Sequence, residues 1–234
     1  MQICPHKGLA KAKMQAYALF VRTNKRAPMV SATLLDTAID QFGRLGFEGA
    51  STRDIARASG TAMSSITYHF GGKQGLYLAA AEHIAASIRA LQGENVARAV
   101  AAGHESREAA IEALATILDG LAQMMLRPET ESWSRFIIRE QQFPTEAFDL
   151  LFAKAMQPIL DAFIELIGRA RADLARREAV AMAILLFGQA MVLRAGRAAV
   201  CRALQVDQID DETAFLLRAR LRANVLCILS EKPQ

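Results

Sequence analysis

The sequence predicts an all-α protein in which a small three-helix module precedes a larger helical domain. Ala, Leu, Arg and Glu dominate the composition and runs of β-branched residues are scarce, which favours helix over strand. Apolar residues recur at steps of three and four along most of the chain, which is the period of an amphipathic helix. Glycine and proline fall between these periodic stretches, where helices end.

The first predicted helix runs from Ser31 to Leu45. Its apolar face is formed by Leu35, Ala38, Phe42 and Leu45. Ser31 is expected to cap its N-terminus, and Gly46 is expected to end it in a turn or left-handed conformation. Phe47 is then expected to fold back onto the helix.

Two short helices follow, joined by a glycine turn. The second helix covers residues 53–58, with Thr52 as its expected N-cap. A Ser-Gly-Thr triplet breaks it, and a third helix covers about residues 62–70 with Ile66 and Phe70 on one face. Two short helices joined in this way form a helix-turn-helix.

The rest of the chain predicts a series of longer helices. One starts near Gln74 after a pair of glycines and runs towards Ala102, so that it can link two domains. A bend is expected at Pro158 in one of the later helices. These later helices are predicted near residues 106–127, 130–143, 145–170, 173–203 and 211–230.

The charge distribution indicates how the domains are arranged. Residues 1–75 hold ten Lys and Arg against four Asp and Glu, whereas the rest of the chain is slightly acidic. Such a basic excess is typical of a module that faces phosphate, although a merely solvated basic surface has the same composition. We expect a flexible basic arm over residues 1–29, a helix-turn-helix domain over residues 30–75 and a helical domain over residues 76–234.

Several kinds of site and location are not expected. Cys4, Cys201 and Cys227 lie far apart and form no metal-ligand pattern, so we expect no metal site, disulfide framework or cofactor. The most apolar stretch, residues 179–193, is too short to cross a bilayer and predicts a core helix. No small-residue cleavage site follows the apolar run at residues 14–21, so a cytoplasmic location is expected.

The helix-turn-helix segment carries a family signature. The DNA-binding signature of the TetR family is closely resembled by TRDIA at residues 52–56, SG at residues 59–60 and ITYHFGGKQGL at residues 66–76. The resemblance covers about residues 31–80. It implies a DNA-binding domain followed by a larger helical domain for dimerisation and ligand binding, and a ligand-responsive repressor as the function.

The resemblance also implies which side chains meet DNA. A recognition helix enters the major groove by its N-terminal end, which would bring four short or apolar side chains to base edges and thymine methyl groups, namely Met63, Ser64, Ser65 and Thr67. Arg53 resembles a family position that can reach a base. The expected phosphate or sugar partners are Thr52, Tyr68, His69 and Lys73.

Three of these DNA-contact assignments have alternatives. His69 could equally be a packing residue. The chain departs from the common family pattern at Ser64, where Gly or Pro is frequent, and at Thr67, where the family often has a phosphate-contacting Tyr. The phosphate contact made by that Tyr is therefore not carried over to Thr67, and whether Thr67 contacts phosphate is left open.

A second resemblance lies in the C-terminal half. SWSRFIIREQQFPT at residues 132–145 and the segment from Phe148 to Pro158 are similar to the CecR-type subgroup, whose inducers are often drug-like or lipophilic. Large apolar side chains in this half of the chain could line a pocket or simply fill a core. Met124 and Met125 belong to the same set of apolar side chains. The candidate ligand-binding residues are Trp133, Phe136, Arg139, Glu140, Phe143, Phe152, Met156, Phe187, Gln189 and Met191.

The last two long helices carry nearly continuous apolar faces, at residues 179–193 and 215–229. A second copy of the chain is the expected cover, and ordinary packing within one chain is the alternative. Two-fold pairing at these faces would place two recognition helices about 34 Å apart or more, which matches a near-palindromic operator.

Two other functions are alternatives to a regulator. An enzyme is not expected, because the sequence has no activated nucleophile, paired carboxylates, phosphate loop or clustered His and Cys ligands. A helical protein that kept the fold but binds a protein partner instead of specific DNA is the second alternative. Salt-dependent DNA binding would separate it from a regulator.

Overall fold

The structure, a computed structural model, describes residues 32–230, and all regular structure in that range is helical, as predicted. The expected cap Ser31 and the expected arm at residues 1–29 lie outside the described range. A 3₁₀ turn covers Pro128–Thr130 and a π-helical turn covers Phe152–Met156. The α-helices are α1 Ala32–Gly49, α2 Thr52–Ala58, α3 Met63–Phe70, α4 Lys73–Ala102, α5 Arg107–Leu126, α6 Glu131–Gln142, α7 Glu146–Leu151, α8 Gln157–Ala170, α9 Arg176–Ala195, α10 Arg197–Leu204 and α11 Asp211–Ser230.

The chain divides into two compact units within the long helix α4. One unit ends at Ala80 and the other begins at Ala81. Helix α4 therefore contributes its first turns to one unit and the rest of its length to the other.

The core of the first unit forms around α1. The ring of Phe42 is fully buried and meets Tyr77 of α4 edge-on, with the ring centroids 4.8 Å apart. Phe47 folds back as expected and also meets Tyr77, at 5.1 Å. As predicted, Gly46 ends the first helical stretch of α1 in a non-helical conformation with positive φ. Its φ of 76° and ψ of 176° produce a kink that glycine adopts easily, and the helix resumes as far as Gly49.

The second unit is organised around α5, which is buried along nearly its whole length. It packs against α8, α9 and α11. Asp119 of α5 accepts two hydrogen bonds from Arg218 of α11, each 2.7 Å long. Burial raises the pKa of Asp119, but the hydrogen bonds from Arg218 and Gln123 outweigh burial and hold that pKa below its usual range.

The predicted helix over residues 145–170 is confirmed as one continuous helical stretch from Glu146 to Ala170, in which a π-helical turn joins α7 to α8. Thr145 caps α7 by accepting a hydrogen bond from the amide of Ala147 at 3.1 Å. The departure from α-helical geometry is the π-helical turn Phe152–Met156 and not a bend at Pro158. Pro158 stands in the first turn of α8, where its missing N–H has no partner to lose.

The predicted helix over residues 173–203 is divided. Gly196 separates α9 from α10, and α9 itself begins at Arg176. A Cβ atom at Gly196 would stand 3.0 Å from both a side-chain and a backbone atom of Val192, so the chain turns closely on itself there. The break leaves α10 as a short helix of its own.

Two helices, α5 and α9, are long and apolar enough to cross a membrane by length and composition alone. Within the fold, 61% of the residues in the most apolar part of α5 are buried, but only 33% of those in α9. Helix α5 is the core helix of the second unit. Helix α9 exposes an apolar face, as does α11, and the large hydrophobic residues on these two faces are Ile184, Leu185, Val192, Phe215 and Leu216.

Candidate nucleic-acid interface and candidate cavity

The turn between α2 and α3 is closed by backbone hydrogen bonds and a left-handed glycine. Gly60 has a φ of 67°, which other residues adopt only with strain. The amide of Thr61 donates to the carbonyl of Ala56 at 2.9 Å, and the amide of Ser59 donates to that of Ile55 at 3.0 Å. The predicted helix-turn-helix is therefore formed, with Ile55 and Ile66 buried on its inner side.

The N-terminus of α2 differs from the prediction at its cap. Ser51, and not Thr52, is the N-cap, and its hydroxyl accepts a hydrogen bond from the amide of Asp54. Thr52 is the first residue of the helix and is half-buried. Its backbone amide and hydroxyl still stand at a helix N-terminus, where anions are favoured. Arg53 follows with its side chain exposed.

Helix α3 turns one face to the core and another to solvent. Ile66 is 1% exposed, whereas Met63 is 48% exposed and Tyr68 is 79% exposed. Ser64 and Thr67 are also exposed, and Ser65 is half-buried. No side chain caps the helix N-terminus at Ala62. The outward surface of α3 thus consists of short polar side chains with an apolar residue at one end and an aromatic one at the other.

The side chain of His69 is neither fully buried nor fully exposed. It is half-buried, and its ring meets that of Tyr68 edge-on at 4.9 Å. Its Nδ1 atom is buried and has no hydrogen-bond partner among the described residues. Both predicted roles for His69, phosphate partner and packing residue, fit this position.

Lys73 begins α4 and reaches back to the end of α1. Its ammonium lies 4.8 Å from the centroid of the Phe47 ring and donates to the carbonyl oxygen of Glu48 at 3.1 Å. These contacts hold the charge in one place while leaving two further N–H donors on the nitrogen. A positioned ammonium of this kind suits a phosphate contact.

Charge in the first unit is balanced within the described range. Arg44, Arg53, Arg57 and Lys73 are matched by four acidic side chains between residues 32 and 80. The basic excess of the N-terminal end therefore lies in residues 1–31. Arg44 and Arg57 are paired with Asp40 and Asp54. In the part of the chain that the structure describes, Arg53 and Lys73 form no such pair and are the cations best able to meet phosphate.

The second unit contains an apolar cavity of about 30 Å³. A space of this size holds about one water molecule, so a ligand fits only if the walls move. Methionine side chains are flexible enough to allow this. The lining residues are Ile88, Leu121, Met124, Met125, Ile137, Ala155, Met156, Ile159, Phe187, Ala190 and Met191.

The predicted ligand-binding residues are only partly at this cavity. Met156, Phe187 and Met191 line it. Phe136 is buried elsewhere in the core, Trp133 and Arg139 are half-buried, Phe143 is 71% exposed, and Phe152 is 38% exposed and stacks on Phe148. The aliphatic lining of α4 and α8 was missed, because Ile88 and Ile159 follow the same period as any core residue.

Two of the predicted polar ligand-binding residues, Glu140 and Gln189, already form hydrogen bonds within the protein. The carboxylate of Glu140 is 1% exposed and accepts hydrogen bonds from the amide and the hydroxyl of Thr145, at 3.1 and 2.9 Å. The side-chain oxygen of Gln189 accepts from Asn224 at 3.0 Å and so ties α9 to α11. Neither residue lies at the cavity.

A larger groove of about 580 Å³ separates α4 from α5. None of the predicted ligand-binding residues lines it. Gln92 crosses its floor and donates to the carbonyl of Gly120 at 3.0 Å, and a Cβ atom at residue 120 would come within 2.9 Å of that side chain. The alternation of small and polar residues along α5, such as Ala113, Thr116 and Gly120, was the available signal for a groove. Met124 borders both spaces.

Two family descriptions match this chain. Residues 34–80 match the family described as bacterial regulatory proteins of the tetR family. Residues 110–231, about half of the chain, match the C-terminal domain of the HTH-type transcriptional dual regulator CecR. CecR of Shigella flexneri is 28% identical over 200 residues, which are 84% of this chain and 89% of that protein.

Solved structures share the fold at low sequence identity. A transcriptional regulator from Pseudomonas aeruginosa has a TM-score of 0.62 and 17% identity, covering 85% of this chain and 89% of its own. AibR, solved with isovaleryl coenzyme A and operator DNA, also has a TM-score of 0.62, with 15% identity, covering 82% of this chain and 95% of its own.

The family assignment agrees with the geometry of both units. The first unit contains the helix-turn-helix, and the second contains the helical domain that the CecR description covers. TetR-family proteins are transcription regulators and not enzymes, and they bind operator DNA, dimerise and bind small molecules. This chain belongs to the TetR family of bacterial transcription regulators, and its C-terminal half is a CecR-type domain.

Proposed function

We propose that the protein is a cytoplasmic, homodimeric repressor that leaves a near-palindromic operator when a small lipophilic ligand enters the second unit. The observation that carries the DNA-binding part is the outer surface of α3. That helix buries Ile66 while exposing Met63, Ser64 and Thr67 near an N-terminus that no side chain caps. Short side chains at this end of a helix allow close approach to base edges.

Phosphate and sugar contacts would flank these base contacts. Thr52 at the start of α2, Tyr68 and His69 on α3 and Lys73 at the start of α4 are the proposed partners. Arg53 and Ser65 would add to base readout. Specificity would then depend on α3 and Arg53, and much of the salt dependence on Lys73 and on the basic residues 1–31.

The proposed dimer uses the exposed faces of α9 and α11. Leu185 is 71% exposed on α9, and Phe215 is equally exposed on α11. The hydrogen bond between Gln189 and Asn224 holds the two helices side by side, so that their apolar faces form one surface. Contiguous apolar surface of this kind marks a protein interface, and pairing with a second copy gives a four-helix arrangement.

The proposed ligand site is the apolar cavity. Its methionine-rich walls suit a lipophilic molecule, and Met156, Phe187 and Met191 are the predicted ligand-binding residues that remain there. The groove between α4 and α5 is a poorer candidate, because its acidic residues Glu112 and Asp119 are already paired with Arg222 and Arg218. Since the cavity is only about 30 Å³, ligand entry has to move its walls.

The π-helical turn offers a route from the cavity to α4. Ala155 and Met156 of the turn line the cavity, while Lys154 pairs with Glu82 of α4 and its carbonyl accepts from Arg89 at 3.4 Å. A wall displaced by ligand would therefore pull on the helix that begins immediately after the recognition helix. Coupling of about 1–3 kcal/mol would change operator affinity about 5- to 150-fold.

The test is a selection of genomic DNA fragments with the purified full-length protein. We expect a discrete inverted repeat, bound as a dimer with an affinity that falls steeply as salt rises. Variants Arg53→Ala and Ser65→Ala should change the preference among the selected sequences. Weak binding without sequence preference would contradict the proposal and favour the partner-binding alternative.

A further inference from the structure

A nearly buried arginine lies on α9 one helical turn beyond Ala190 and Met191, which line the apolar cavity. Arg194 of α9 is only 8% exposed. Its Nη2 atom donates to the carbonyl of Arg127 and lies 3.5 Å from the hydroxyl of Thr130. Its Nε atom is buried and has no hydrogen-bond acceptor among the described residues. No carboxylate between residues 32 and 230 forms an ion pair with this cation.

The surroundings of Arg194 are positive. Burial lowers the pKa of Arg194, the charge of Arg197 lowers it further, Glu131 raises it and Arg135 lowers it. Glu131 is the one acidic influence among these, and it is already bonded to Arg135. Guanidinium groups so arranged favour an anion, because a buried cation without a counter-charge is costly.

The helical period places Arg194 on the same face of α9 as residues that line the cavity. Ala190 and Met191 of α9 line the cavity, and Arg194 follows one turn later on the same face. On α6 and the turn before it, Thr130, Ser134 and Ile137 form a similar row that ends at the cavity.

Thr130 connects the two rows of residues, because its hydroxyl lies 3.5 Å from Nη2 of Arg194. Its hydroxyl donates to the carbonyl of Met124 at 2.7 Å, and Met124 lines the cavity. Ser134 is also buried and donates to the carbonyl of Thr130 at 2.9 Å. Arg194, Thr130 and Ser134 are all buried, so a polar group of residues with one positive charge lies next to residues that line the apolar cavity.

We infer that the ligand of this cavity is an amphipathic anion, whose apolar chain lies among the methionines and whose carboxylate or similar head is held by Arg194. The inference rests on the proposed ligand-responsive function and adds the chemical class of the ligand. A guanidinium binds a carboxylate by charge-assisted hydrogen bonds, and the Nε–H of Arg194 is available as a donor. The methionine walls would open to admit the chain.

The experiment compares octanoate with octan-1-ol, which differ in the charge of the head. Binding to the full-length protein is followed by titration calorimetry and by the fluorescence of Trp133, the only tryptophan, which lies on α6 between Thr130 and Ile137. The unaltered protein should bind octanoate about tenfold or more tightly than octan-1-ol. This comparison needs no variant, so it remains decisive if an Arg194 variant fails to fold.

Variants of Arg194 test whether this residue causes the preference for octanoate over octan-1-ol. Arg194→Gln keeps hydrogen-bond donors but removes the charge, and should bring the two affinities to within about twofold by weakening octanoate only. Arg177→Gln, an exposed arginine at the other end of α9, should keep the full preference. Arg194→Lys, which keeps the positive charge, should keep part of the preference for octanoate.

The outcomes separate this inference from the proposed function. Equal affinities in the unaltered protein, or a preference that survives Arg194→Gln, would overturn the anion inference while leaving a lipophilic cavity in place. Binding of neither compound would also overturn it, and the operator selection would then decide independently whether the protein is a regulator. A preference that depends on Arg194 supports it.

Discussion

A Cβ atom at Gly75 would stand 1.7 Å from the carbonyl oxygen of Phe70. The last residue of the recognition helix α3 therefore packs its backbone directly against the first turn of α4. Gly71 and Gly72 between the two helices have φ values of 72° and 112°, which glycine adopts without strain. The position of α3 relative to the start of α4 depends on these glycines.

Gly75→Ala should destabilise the first unit and abolish operator binding. The added methyl group meets backbone and not a flexible side chain, so we expect a loss of more than about 2 kcal/mol in the free energy of unfolding. Gly93→Ala, in the same helix with nothing within 4 Å, should stabilise the protein by about 0.5–1 kcal/mol. Urea unfolding measures both, and equal stabilities for the two variants would contradict the packing argument.

Lys73→Met should weaken binding to all DNA sequences alike. Removing one phosphate contact should lower the slope of log affinity against log salt by about 0.9. Arg44→Met removes a charge in the same unit that is already paired with Asp40 at 3.6 Å, and should change the slope less. Gel shifts at several salt concentrations measure the slope, and identical slopes for both variants would remove Lys73 from the interface.

Leu185→Glu should dissociate the proposed dimer. The residue is 71% exposed on α9, beside Gly188, which has nothing within 4 Å of its Cβ position, so a partner helix can approach closely. We expect dimer affinity to fall by about 2 kcal/mol or more. Leu45→Glu, which changes an exposed leucine of α1, should leave the sedimentation behaviour unchanged. A dimer that persists in Leu185→Glu would place the interface elsewhere.

Lys154→Met should loosen the proposed link between the cavity wall and α4. Exposed ion pairs are worth about 0.5–1 kcal/mol, so amide exchange near residues 82–89 should rise about two- to fivefold. Arg169→Met breaks an exposed pair with Glu165 on α8 and should leave that part of α4 unaffected. Hydrogen exchange with mass spectrometry gives the comparison, and unchanged protection in Lys154→Met would mean that coupling takes another route.

Asp119→Asn should lower stability at neutral pH by about 1–2 kcal/mol, since Arg218 loses its charged partner. The pKa of Asp119 is lower in the folded protein, so its stabilisation is complete above the unfolded value of about 3.9 and is lost as the pH falls through the folded value. The difference between the two proteins should therefore shrink below about pH 4. The control Glu94→Gln changes a largely exposed carboxylate and should show little effect at either pH. A constant difference for Asp119→Asn would contradict the assignment.

Local patterns in the sequence predicted the helix-turn-helix well, because each of its parts is a local device. Gly60 marks the turn, a glycine pair marks the end of α3, and Ile66 marks the inner face. The cap was misplaced by one residue, since Ser51 and Thr52 are both good caps and only the backbone conformation at Ser51 distinguishes them. The roles of the outward residues on DNA remain predictions.

The sequence by itself determined the helical class, the turn chemistry of the first unit and the apolar faces of α9 and α11, because glycine conformation and helix period act over a few residues. Only the tertiary structure decided which polar residues were already engaged. Glu140 is bonded to Thr145, and Gln189 is bonded to Asn224. Arg194, which was not among the predicted site residues, is left buried without a counter-charge among residues 32–230. Whether a side chain lines a cavity, ties two helices or stands exposed depends on which helix packs against it, and that choice involves contacts far apart in the chain.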